Sequence, residues 1–204
     1  MIQKISSILK RRNNLYVFYF FLLFFPIKTQ LQNLVFFLFD YFFTNGTTTS
    51  LFTFNYRGKL MGCDAVASLK KIENNFNLFQ QEGLHYSQFT PSLLAFSFLL
   101  IRWKNKLTFT LLDWVLTLVT CFSIMNAIEI STLLATHYYN FSSKQLIRFL
   151  PFSILFILIG SFIFFKIFNL EQKIQSIFIG IPTILISMIL WFKFLGPKIL
   201  PIVV

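Results

Sequence analysis

Charge is what this sequence has least of. Only 12% of its 204 residues are Asp, Glu, Lys or Arg, where a soluble domain carries about 25%. With 56% hydrophobic residues and a mean hydropathy of +0.69, the chain cannot cover a soluble surface. That excludes a soluble globular domain and predicts membrane insertion.

Small residues are also scarce, with seven Gly and five Ala against thirty Phe. Membrane helices approach one another closely through small residues, so helices short of them rest on partner subunits or on lipid. An AT-rich coding bias gives the same composition, and Lys outnumbers Arg by 13 to 5 as that bias would have it. The Phe content is therefore not evidence of a ligand.

Cysteine is nearly absent. Cys63 and Cys121 stand far apart, which supports neither a disulfide framework nor a zinc motif. HExxH, GxSxG, P-loop and GxGxxG patterns are missing, and no cofactor and no metal are expected. A net charge of +11 could suggest nucleic acid, but the basic residues lie in short clusters between apolar runs. That pattern sets membrane topology, so the expected partners are the lipid bilayer and other membrane subunits, not nucleic acid.

What the sequence does have is apolar runs. Met1 to Asn14 carries Lys4, Lys10, Arg11 and Arg12 ahead of Leu15–Ile27, an uncleaved signal-anchor pattern with no small-residue cleavage site after it. Lys28 to Asn33 interrupts before Leu34–Phe43 resumes. Each half is short of the roughly 20 residues a span needs. They read as two short spans, a re-entrant hairpin, or one span with an interfacial helix.

The polar region 44–84 opens on the turn Asn45-Gly46. Within it, residues 63–79 place Ala65, Leu69, Ile72, Phe76 and Phe79 at helical spacing, the mark of an amphipathic helix along the membrane surface. Further spans are expected at about 85–103, 107–130, 149–168 and 174–195, with a coil tail at 196–204. Thr90 can cap a helix whose first position is Pro91, and an earlier start near His85 would make Pro91 a kink. The fold class expected is all-α: a polytopic integral membrane helix bundle of five or six transmembrane helices in one transmembrane domain, with an amphipathic interfacial helix. Six spans put twelve Lys and Arg on one side and six on the other, whereas five divide them evenly. Charge bias favours six, segment length favours five, and the sequence reading leans to six.

Few residues could carry chemistry. Asn126, Glu129, Thr132, Thr136 and Asn140 fall within roughly 120° of one another at 100° per residue. They suit a polar path or an interfacial face. Asp113 stands just inside the same segment, within chain reach of Arg102 and Lys106, and reads as a structural pair or a proton relay. Cys63 could act as a nucleophile if His85 approached it. However, no arginine-bearing helix followed by a histidine stands where a membrane cysteine transpeptidase of the exosortase kind would need it. Two histidines on a straight helical hairpin would miss each other in depth, which argues against haem.

The functional reading is a multi-pass membrane protein acting as a non-catalytic subunit of a larger membrane complex, in a bacterial inner membrane or an organellar membrane. The alternatives are a small transporter or permease component with a polar path near Asp113, Asn126 and Glu129, and a membrane enzyme using Cys63 and His85.

Overall fold

The computed structural model describes residues 13–44, 77, 79, 80, 83, 86–137 and 143–199. Among them the chain is helical and contains no strand. The elements are α1 (Asn13–Leu22), α2 (Phe24–Phe43), a 3-10 turn (Ser87–Phe89), α3 (Thr90–Lys104) and α4 (Leu111–His137). There follow α5 (Ser143–Phe162), α6 (Leu170–Gln175), α7 (Ile181–Ile189) and α8 (Gly196–Ile199). Wide π-helical turns at Ile163–Ile167, Ser176–Gly180 and Leu190–Leu195 extend α5, α6 and α7. Three helical stretches are long and apolar enough to cross a membrane: Leu111–Ile128, Leu150–Ile167 and Leu170–Leu195. The last starts earlier than the expected 174, because α6 opens at a capping box rather than where the apolar run begins.

Proline explains most of the irregularities. The first helix breaks at Leu23, not at the polar residues Lys28 to Asn33, which lie inside α2. Pro26 has no amide to offer the carbonyl of Leu22, four residues back, and its ring crowds that carbonyl. Hydropathy misplaces this break because continuity depends on backbone bonding. Likewise the π turns at Ser176–Gly180 and Leu190–Leu195 come just before Pro182 and Pro197, where a wider turn relieves the same clash. The expected coil at 196–199 is a helical turn, since proline is tolerated at the start of one. Thr90 does not cap α3. It is itself helical (φ −54, ψ −47), because its amide bonds the Ser87 carbonyl and the 3-10 turn leads the chain into the helix.

The chain divides into two compact units, Met1–Phe20 with Pro91–Gly180 and Phe21–Thr90 with Ile181–Val204. In the first, α4 is more enclosed than α5: 50% of Leu111–Ile128 is buried, against 22% of Leu150–Ile167. Phe122 and Phe156 are fully buried, and α5 comes close to α4 at Gly160, where an added Cβ would lie 3.1 Å from Ile124 Cδ1.

In the second unit, Phe25 stands near the uncapped start of α2, and its amide donates to Ser187 Oγ of α7 at 3.3 Å. That satisfies one of the helix's four orphan donors. Asp40 is buried and accepts from the Thr44 hydroxyl. Gln80 Nε2 donates to the Phe43 carbonyl at 2.8 Å, and the Phe43 and Phe79 ring centroids are 5.4 Å apart, so Phe43 lies against Phe79 and Gln80. The expected amphipathic helix 63–79 lies outside the described residues except at its end.

Gly83 sits where the Phe39 ring crosses it. A Cβ at Gly83 would fall 2.0 Å from Phe39 Cζ. That ring is held by Phe43 at 4.7 Å and Phe79 at 5.9 Å, so it cannot swing away freely. Gly83→Ala is expected to destabilise the protein by about 1–3 kcal/mol, as overpacking generally does. Thermal unfolding in detergent measures this, and Phe39→Ala in the same chain should restore most of the loss. A Gly83→Ala chain that melts with the parent would show the ring to be loosely held.

Candidate functional site: a polar cluster at one end of the first unit

The site starts from the turn between α3 and α4. Lys106 N–H bonds the Trp103 carbonyl at 3.0 Å, and Leu107 N–H bonds the Arg102 carbonyl at 3.2 Å. That is a Schellman ending, which needs one left-handed residue. Here Lys106 supplies it at φ 53 instead of a glycine. The turn leaves Arg102 one helical level from the start of α4.

Thr110 precedes α4 and Asp113 is its third residue, so the sequence Thr110-Leu-Leu-Asp113 is a variant of the capping box. Asp113 Oδ2 accepts from the Thr110 amide at 2.7 Å and from Thr110 Oγ1 at 2.9 Å. Arg102 adds a bidentate pair, Nε to Oδ1 at 2.6 Å and Nη2 to Oδ2 at 3.0 Å. Nη2 also reaches Thr110 Oγ1 at 3.1 Å. A carboxylate has about four acceptor sites, and this one accepts four hydrogen bonds while its charge lies at a helix N-terminus, where the macrodipole favours it. Its side chain is 4% exposed. Asp113 is thus fixed in place and committed.

The turn before α6 uses the same device. Asn169 Oδ1 accepts from the Gln172 amide at 3.1 Å, and Gln172 Oε1 accepts from the Asn169 amide at 3.0 Å. Phe109, Trp114 and Phe168 join the two turns, with centroids 5.3 to 5.7 Å apart. Gln175 Nε2 donates to Asn14 Oδ1 at 2.8 Å inside the unit. The N-terminal end of α1 therefore lies at the same end of the first unit as both turns.

Two clefts open there. One of about 450 Å³ lies among Tyr16, Thr110, Trp114, Glu171, Gln172 and Gln175. The other, about 210 Å³, lies among Leu99, Arg102, Trp103, Asp113, Ile167 and Gln172.

The remaining polar side chains of α4 are mostly satisfied locally. Thr117 Oγ1 donates to the Asp113 carbonyl at 2.7 Å and Thr120 Oγ1 to the Leu116 carbonyl at 2.8 Å. Ser123 Oγ donates to Ser92 Oγ at 2.7 Å, which in turn donates to the Val119 carbonyl at 2.8 Å. Asn126 differs: it is 2% exposed, and its Oδ1 has no hydrogen-bond partner among the described residues.

Of the residues singled out in the sequence, Asp113 and Asn126 are therefore placed on one buried helix, about 20 Å apart along its axis at 1.5 Å per residue. Glu129, Thr132 and Thr136 continue that helix, while their side chains lie outside the described part. Cys63, His85 and Asn140 lie outside the described residues altogether. Among the described residues no three His, Cys, Asp or Glu side chains come together as a metal site would need. Arg102 enters the sequence reading as a possible partner of Asp113, whereas Thr110, Asn169, Gln172 and Gln175 are not among the residues it selects, although the two box patterns are visible in the sequence. Comparison with protein-family profiles, with characterised proteins and with solved structures gives no match to this chain.

Proposed function

We propose that this chain is a five-crossing integral membrane protein serving as a non-catalytic subunit of a larger membrane assembly. One observation carries the reading: Asp113, a buried carboxylate of α4, accepts four hydrogen bonds from Arg102 and Thr110, so its charge is spent on holding the α3–α4 turn. The outward faces of the apolar helices fit the same role. Leu155, Leu158, Phe165, Phe178 and Phe194 are exposed, a surface for lipid or for neighbouring subunits.

The crossing number rests on parity. The start of α1 and the α3–α4 turn share one end of the first unit, so an even number of crossings separates them. Six spans require three. One crossing before Thr44 and one through α3 give two before the α3–α4 turn, and five in all with the spans that follow.

Extraction in a mild detergent, followed by identification of co-purifying chains, tests the role. Stoichiometric membrane partners are expected. Ion or solute flux by the purified chain alone in vesicles would overturn the subunit reading. It would favour transport, the second reading, for which the buried Asn126 oxygen speaks, having no partner among the described residues. In that case Asn126→Leu should abolish flux in folded protein.

A further inference from the structure

The Arg102 cluster does more than close a turn. Its guanidinium presents five N–H groups in a rigid fork. Nε and Nη2 are taken by Asp113 and Thr110, whereas Nη1 makes none of the hydrogen bonds described. Arg102 keeps 23% of its side chain exposed and lines the 210 Å³ cleft. Asp113 thus holds the fork in one orientation with an edge left over, and little order would be lost on binding.

The surroundings fix the sign and the level of what could bind. This end of the first unit carries Arg102, Lys104, Lys106, Lys166 and Lys173 against Asp113 and Glu171, so it is strongly positive. Lys104 and Lys106 are exposed. Trp103 lines the cleft and Trp114 stands beside it in the larger one, and tryptophan belongs at the headgroup level of a bilayer. The rest of the lining is mixed: Asn169 and Gln172 are polar, while Leu99, about one helical turn deeper than Arg102, Leu107 and Ile167 are apolar. A space of 210 Å³ holds roughly seven groups of water size at about 30 Å³ each. That suits a phosphate with a few carbons attached, the rest of the molecule lying outside.

From this juxtaposition we propose that the cleft at Arg102, beside the α3–α4 turn that carries the exposed Lys104 and Lys106, binds the phosphate of an anionic phospholipid headgroup, with the first acyl carbons against Leu99 and Ile167. Phosphate chemistry accounts for the guanidinium edge, the two lysines supply the preference for a headgroup with net negative charge, and the apolar side chains of Leu99, Leu107 and Ile167 in the lining point to a lipid rather than a soluble phosphate. The proposal rests on the membrane reading above but not on the subunit role.

The full chain, purified in mixed micelles of phosphatidylglycerol and phosphatidylcholine, is tested for retained lipid by native mass spectrometry. One phosphatidylglycerol held in clear preference is expected. The Lys104→Gln, Lys106→Gln double variant should lose that preference by about tenfold or more, since each basic residue near a lipid phosphate is worth several-fold, with an unchanged melting curve. Arg102→Lys, which keeps the charge without the fork, should weaken retention as well. Equal retention of the two lipids, or a preference that survives in the double variant, overturns the site. Binding of free glycerol phosphate as tightly as the lipid overturns the lipid source. Retention of neither lipid overturns the site too, whereas a chain that stays soluble and folded without detergent would overturn the membrane reading itself, a result distinguishable from the others.

Discussion

Asp113→Leu is expected to cost more folded protein than any other single change at this end of the molecule, and Asp113→Asn to come close to it. Leucine removes four acceptances at once. Arg102 keeps its charge with no partner beside it, and the Thr110 amide loses its cap. Asparagine keeps the shape but turns an NH₂ group toward a donor, whichever way the amide is set. The two carboxylate oxygens face only N–H and O–H groups. Removing one member of an enclosed ion pair is far more damaging than removing both. The Arg102→Leu, Asp113→Leu double variant should therefore recover most of the loss, short of the cap at Thr110. Melting curves and detergent-stable yield of the two single variants and the double variant give the comparison. A well-folded, abundant and inactive Asp113→Asn protein would instead mark Asp113 as a relay, as the transport reading requires.

Much of this cluster is within reach of the sequence, and its parts are legible to different degrees. Apolar length marks Leu150–Ile167 as long enough to cross a membrane, because hydropathy over about 18 residues is a strong signal. The chain distance between Arg102 and Asp113 allows a pair, and the pair is made. The boxes Thr110-x-x-Asp113 and Asn169-x-x-Gln172 are readable by the same rule that flags any N-cap followed three residues later by an acceptor. So is Asn77-x-x-Gln80, whose reciprocal bonds measure 3.0 and 2.8 Å. They escape a reading by hydropathy alone, because hydropathy scores a capping box only as a polar interruption and not as a pair of reciprocal bonds.

Other features have no local signal. Asn14 and Gln175 are neutral amides 161 residues apart, and nothing in either neighbourhood announces the other. The exposed position of Lys106 in the left-handed region is likewise invisible, since the turn that imposes it usually takes glycine. The break at Leu23 does have a signal, but hydropathy points elsewhere. Proline acts on the carbonyl four residues before it, so the fault belongs three residues before Pro26 and not at the first polar residue after it.

The topology gives the sharpest of the expected results, because labelling is all or none. In a background of Cys63→Ser and Cys121→Ser, a single cysteine is introduced as Thr47→Cys or as Asn105→Cys, and an impermeant thiol reagent is applied to sealed vesicles of one orientation. Five crossings put Asn105 on the side of the N-terminus and Thr47 on the other. Six put Thr47 with the N-terminus and Asn105 opposite. Asn105 is exposed in the α3–α4 turn, so a failure to label it from either side cannot come from burial. Charge offers little guidance for five crossings. Lys4, Lys10, Arg11, Arg12, Arg102, Lys104, Lys106, Lys166 and Lys173 then gather with the N-terminus, matching those left for the rest of the chain. A positive-inside bias would be weak, and orientation would follow the N-terminal cluster alone or an assembly partner. An N-terminal tag protected together with the Asn105→Cys thiol and apart from the Thr47→Cys thiol is the outcome expected of five. Joint protection of the tag and the Thr47→Cys thiol would restore the six-crossing chain and break the parity drawn from Asn14 and Gln175.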